Sequence, residues 1–198
     1  QIIHRDLNPE SIFLDEHLFP KIGNFSFLVK NHMMKTIMHQ STAQIKGNPN
    51  YSAPEILTNN DYSQASDVYS FAMIVYEIMT NEIPFKNTSN LYQLINDVGI
   101  NGKRPSFNKS IPCCYSDLIK SCWNQNPEKR PSFEEISLRL KNDERFITDK
   151  VNKENYTIYV KNIESICKEF YRNRKITEKD CKIVECDDEQ MNSQKIWK

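Results

Sequence analysis

The sequence predicts a mainly α-helical domain with one small β-hairpin near its start, and three observations support that prediction. Val68, Phe71, Ala72, Val75, Ile78 and Met79 recur at three- and four-residue steps, with Ile74 widening the stripe, which is the spacing of a helix over 66–80. Leu91, Leu94, Ile95 and Val98 repeat that spacing up to Gly99, and Leu118, Ile119 and Cys122 repeat it before Pro127. The clearest strand signals are the brief runs Ile12-Phe13-Leu14 and 19–22, which flank the polar turn Asp15-Glu16-His17.

Taken in order, the hairpin comes first and is followed from Asn24 to Tyr51 by a stretch with neither period, rich in Lys, His, Asn, Ser and Thr. A loop of that length inside a domain is usually functional. The 66–80 helix is apolar almost all round, so it belongs at the centre of the core. Ser132 followed by Phe133-Glu134-Glu135 is a cap-then-acid pattern that opens a further helix to about Leu140. Beyond Asn142 the composition turns to Lys, Asn and Glu, yet Tyr156, Tyr159, Ile163, Ile166 and Phe170 keep the spacing of one amphipathic helix. Residues 172–198 carry little apolar content and are expected to be loosely ordered.

Composition narrows the function classes. The 26 basic and 26 acidic residues cancel, which removes the basic field that nucleic acids or anionic membranes attract, so neither is an expected partner. The six cysteines contain no C-x-x-C pair, and the four histidines lie far from them, which disfavours zinc and fits a reducing, cytoplasmic setting. No apolar run approaches the length of a membrane helix. The chain opens at Gln1 directly into motif, as expected of a piece of a longer protein.

The string His4-Arg5-Asp6-Leu7-Asn8-Pro9-Glu10-Ser11-Ile12-Phe13-Leu14 resembles the catalytic loop of eukaryotic protein kinases, H-R-D-L-K-P-E-N and a short strand. Lys21-Ile22-Gly23-Asn24-Phe25-Ser26 stands where the D-F-G element belongs, and Ala53-Pro54-Glu55 where the activation segment closes. Asp67-Val68-Tyr69-Ser70-Phe71-Ala72 is similar to the D-V-W-S-F-G start of the central helix, and Cys122-Trp123 through Arg130-Pro131 to the late C-W-x-x-x-P-x-x-R-P element. The order of these elements makes the resemblance specific. Its style is tyrosine-kinase-like, with N-P-E after H-R-D-L closer to Ser/Thr specificity. The implied organisation is a kinase C-terminal lobe over residues 1–142, without its N-terminal lobe, followed by a helical, partly disordered extension over 143–198.

The resemblance also implies roles. Asp6 is the catalytic-loop base, Arg5 the receiver of a loop phosphate, and Thr36, Ser41 and Thr42 are the available phosphate acceptors. Glu55 and Arg130 are implied to form a buried ion pair, Asp67 to bind the catalytic-loop backbone, and His4 to be a structural residue of the loop. ATP and Mg²⁺ are the implied cofactors, but both metal positions are altered: Ser11 replaces an Asn and Asn24 replaces an Asp. Mg²⁺ favours carboxylate oxygens, so binding should weaken sharply. Asn8 replaces the phosphate-neutralising Lys, Asn48 replaces a Thr that supports the base, and Phe13 replaces the usual Leu under the adenine. These substitutions predict a pseudokinase acting as an interaction or regulatory scaffold with a protein partner. The competing expectations are an active Ser/Thr-type kinase that phosphorylates protein, and a truncated fragment without function.

Overall fold

The computed structural model describes residues 2–16, 18–25, 29–30, 47–88, 90–149 and 151–173. The candidate phosphate acceptors Thr36, Ser41 and Thr42 and the tail from 174 onward lie outside them. The described residues fall into two units, Gln1–Thr148 and Asp149–Lys198.

The first unit is mainly helical, with two small antiparallel sheets. Strand β1 (Ile2–Ile3) leads into the catalytic loop, which ends in a 3₁₀ turn at Pro9–Ser11. Strands β2 (Ile12–Leu14) and β3 (Pro20–Ile22) form the expected hairpin, with Ile12 opposite Ile22 and Phe13 opposite Lys21. Its turn closes on Asp15, whose carboxylate accepts the Phe19 amide at 2.9 Å and pairs with Lys21 at 3.3 Å. One expectation is corrected here. The stretch from Asn24 to Tyr51 contains strand β4 (Val29–Lys30), which pairs with β1. Two residues are too few to show a period, and the pairing partner decides the conformation.

Helix α1 (Pro54–Asn59) and helix α2 (Gln64–Thr80) follow the activation segment. The sequence reading missed α1, whose six residues span fewer than two turns. Both helices end on an asparagine in the left-handed region, Asn60 at φ 57° and Asn81 at φ 55°. Asparagine tolerates that conformation and here takes the C-terminal capping place that glycine most often fills. Helix α2 is capped by Ser63 and Ser66 reciprocally and runs through the core, with Val68, Tyr69, Ala72 and Met73 all buried.

Helix α3 (Leu91–Leu94) was expected to run as one α-helix to Gly99; instead it widens into a π-helical turn over Ile95–Ile100. Gly99 is fixed by close packing, since a Cβ there would meet Thr58 Cγ2 at 2.7 Å. Helix α4 (Cys113–Cys122) packs Leu118, Ile119 and Cys122 into the core. Helix α5 (Phe133–Asn142) opens with the expected capping box, in which Ser132 Oγ accepts the Glu135 amide and the Glu135 carboxylate accepts the Ser132 amide. The first unit closes with a turn at Glu144–Phe146, whose Phe146 is buried edge-on against Tyr115.

In the second unit, helix α6 (Lys153–Asn173) is the expected amphipathic helix. Among the described residues, no helix is long and apolar enough to cross a membrane.

Candidate functional site

The catalytic loop hangs from the first turn of α2. The Asp67 carboxylate accepts the His4 amide at 2.7 Å and the Arg5 amide at 3.1 Å. Burial pushes the Asp67 pKa up, and those two hydrogen bonds pull against the rise. They also hold Arg5 in a left-handed backbone, φ 73°, which costs a non-glycine residue about 1–2 kcal/mol. The Arg5 guanidinium lies over the Tyr62 ring at 4.3 Å, a cation–π contact within the fold. The His4 ring bonds the Gly23 carbonyl through Nε2 at 2.9 Å and meets the Phe25 ring at a tilt, with centroids 5.2 Å apart, joining the loop to the segment that carries Asn24.

Asp6 is held from two sides. Its Oδ1 accepts the Asn8 amide Nδ2–H at 2.6 Å and the Asn48 backbone N–H at 3.3 Å. Asn8 is fixed in turn, because its Oδ1 accepts the Glu10 amide at 2.8 Å and its backbone N–H donates to Ser11 Oγ at 3.1 Å. Gly47 passes so close to Asp6 that an added Cβ would sit 2.6 Å from the carboxylate carbon, and its φ of 88° suits glycine alone.

The altered metal positions are a poor match to Mg²⁺. Ser11 has no exposed surface, and its hydroxyl donates to the Asn8 carbonyl at 2.8 Å while accepting the Asn8 amide, so it serves the turn. Asn24 lies on the surface at φ 59° with a neutral amide. Among the described residues, no group of three His, Cys, Asp or Glu side chains is arranged to hold a metal ion. Phe13 lies half-exposed across Gly23, where a Cβ would meet its ring at 2.8 Å.

The activation segment closes on two anchors. Glu55 and Arg130 form a two-pronged ion pair at 2.7 and 2.8 Å, with the arginine side chain fully buried. Arg130 also donates to the carbonyls of Ala65 and Asn124, both at 2.8 Å. The Tyr69 ring lies 5.2 Å from this guanidinium and 5.0 Å from that of Arg104, and burial drives its phenol pKa upward. The second anchor escaped the sequence reading. Tyr51 donates its hydroxyl to Glu77 over a short 2.5 Å bond, and Ser70 Oγ donates to the Tyr51 carbonyl. A signal for it was present: Asp67 and Glu77 are the sole charged side chains in the apolar helix α2.

Comparison with known proteins agrees with this arrangement. The chain matches the family described as protein tyrosine and serine/threonine kinase over residues 1–140. It is 36% identical over 140 residues to the probable serine/threonine-protein kinase drkC of Dictyostelium discoideum, covering 70% of this chain and 18% of that protein. It is 34% identical over 134 residues to the dual specificity protein kinase shkC of the same organism, covering 68% of this chain and 26% of that protein. A third relative there, the probable serine/threonine-protein kinase roco8, is 32% identical over 142 residues, which cover 68% of this chain and 7% of that protein. The chain thus spans about a quarter or less of these relatives.

Proposed function

Because the chain belongs to the protein tyrosine and serine/threonine kinase family, we propose that it is the C-terminal lobe of a kinase-like domain that works mainly as a protein-binding or regulatory scaffold. Transfer of phosphate from ATP is weak or lost. The observation behind this reading is Ser11, whose hydroxyl is buried and bound within its own turn, where the family places a metal-holding amide. The neutral Asn24 strengthens it. In working members of the family, Mg²⁺ bridges and neutralises the nucleotide phosphates. Loss of one such charge stabiliser costs about 10²–10³ in rate, and the losses at Ser11 and Asn24 act on the same charge. The scaffold that would present a surface to a partner is held by Glu55, Arg130 and Asp67.

A second reading, an active Ser/Thr-type protein kinase, is favoured by Asp6. With Oδ1 engaged by Asn8 and Asn48, the carboxylate keeps a fixed direction and leaves Oδ2 to accept a substrate hydroxyl proton. The kinase names of the relatives point the same way. Phosphate transfer from labelled ATP by the full-length protein, with Mg²⁺ and Mn²⁺ separately and an Asp6→Ala control, separates the two. The scaffold reading expects no transfer above the control, and transfer that vanishes in the control establishes the kinase.

A further inference from the structure

We infer that the groove between α4 and α5 is a docking site for an acidic segment of a partner protein, which rests on the scaffold reading and gives it a surface. The groove lies beside the 3₁₀ turn at Pro127–Lys129 and has a volume of about 450 Å³. That is within the range of ligand sites and far above the roughly 30 Å³ of one water, so the groove admits the side chains of a peptide. Leu118, Pro131 and Ile136 give it an apolar floor, and its cations are Lys129, Arg130 and Arg139.

Several polar groups along the groove are already engaged. Arg130 is buried and neutralised by Glu55. The Glu135 carboxylate accepts the Ser132 amide at 2.7 Å and the Ser132 hydroxyl at 2.8 Å. The Ser121 hydroxyl donates to the Leu118 carbonyl at 2.7 Å. Lys129 and Arg139 are in a different position. Arg139 stands four residues after Glu135, the spacing and order at which a helix pairs acid with base, yet Glu135 turns back to the cap. Among the described residues the half-buried Arg139 forms no ion pair, and its guanidinium lies over the Phe146 ring at 5.8 Å. Lys129 is exposed on the adjoining turn. Among the described residues that line the groove, Glu128 is the remaining acid, so two available cations face one anion. A guanidinium fork takes both oxygens of a carboxylate, and partial burial strengthens that bond. The matching ligand is a peptide that carries Asp or Glu beside an apolar residue resting on the floor.

Fluorescence polarisation on the full-length protein tests the docking site, with a short labelled polyglutamate peptide carrying one central leucine as the probe. Wild type should bind it more tightly than the same peptide with serine for glutamate, and should lose affinity as salt rises. Lys129→Gln with Arg139→Gln should weaken binding about tenfold, the worth of two ion pairs of surface strength. Lys86→Gln with Lys161→Gln removes the same charge from exposed positions elsewhere and should leave affinity within about twofold. No binding by wild type, no loss in the groove variant, or equal loss in the two double variants would overturn the inference. Arg139 also packs on Phe146; if its variant does not fold, Lys129→Gln alone decides, with about a threefold loss expected and an unchanged affinity overturning the site. Should wild type bind no peptide and the groove variant break a dimer in light scattering, the groove belongs to a second copy and the inference fails. Phosphate transfer is not read in this experiment, so the docking site and the scaffold reading can fail separately.

Discussion

The junction around Arg130 and the loop around Asp6 use the same materials, buried or half-buried charges surrounded by donors and acceptors, to opposite ends. At Arg130 the charges meet as a matched pair: two bonds to Glu55, two more to backbone carbonyls, and an aromatic ring alongside. At Asp6 the polar groups are turned toward one another. Asn8 and Ser11, where the family places a lysine and an asparagine that face the phosphates and metal, instead bond to Asp6 and to the loop's own backbone. A catalytic scaffold is thus kept by interactions that satisfy themselves internally. Chemistry requires groups left unsatisfied, facing outward, and the Asn8 amide and Ser11 hydroxyl are bonded within the loop instead.

The largest effect is expected at the Arg130 junction. Arg130→Ala strands the Glu55 carboxylate and should cost about 3–5 kcal/mol, enough to unfold the first unit or lower its melting temperature drastically; an unchanged melting curve would show the junction to be dispensable. At the other region, Gly47→Ala forces a Cβ onto Asp6 from a left-handed backbone. A loss of about 1–3 kcal/mol in chemical denaturation is expected, and a variant as stable as wild type would mean that the segment does not rest on Asp6.

A smaller effect of opposite sign sharpens the picture of the junction. Among the described residues the buried Tyr69 hydroxyl has no hydrogen-bond partner, so Tyr69→Phe removes a desolvated polar group and should raise stability by about 1 kcal/mol. A fall would reveal a partner for the hydroxyl. The smallest effect lies at the surface: the Arg145 guanidinium holds the Asp143 carboxyl down to about 2 from its ordinary 3.8. A carboxyl lowered in the folded state contributes stability that is present above about pH 4 and is lost as pH falls towards 2. A carbon-detected titration should find Asp143 low in wild type and ordinary in Arg145→Ala.

The sequence made the scaffold legible because long-range order shows in residue type and spacing. The apolar run of α2 could only be central, and Glu55, Asp67 and Arg130 stood in recognisable strings. Less was visible where a few residues respond to partners distant in sequence. Strand β4 pairs with β1, distant from it in sequence, and the π-helical turn carries Gly99 close against Thr58. At the site, the substitutions at Asn8, Ser11 and Asn24 could be read directly, but their effect could not. That Ser11 closes a capping box and Asn8 aims Asp6 depends on side-chain directions that residue identity leaves open. Glu77, like Asp67 a carboxylate in an apolar helix, is an oddity of sequence that points to a hydrogen-bond partner, which is Tyr51.

Calorimetry of ATP binding to the full-length protein, with and without Mg²⁺, tests the proposal that the fold is kept while the metal site is lost. Wild type should show no Mg²⁺-dependent gain in affinity, whereas the double variant Ser11→Asn with Asn24→Asp should acquire one. A strong Mg²⁺-dependent gain in wild type, unchanged by the double variant, would mean that Ser11 and Asn24 still support metal binding.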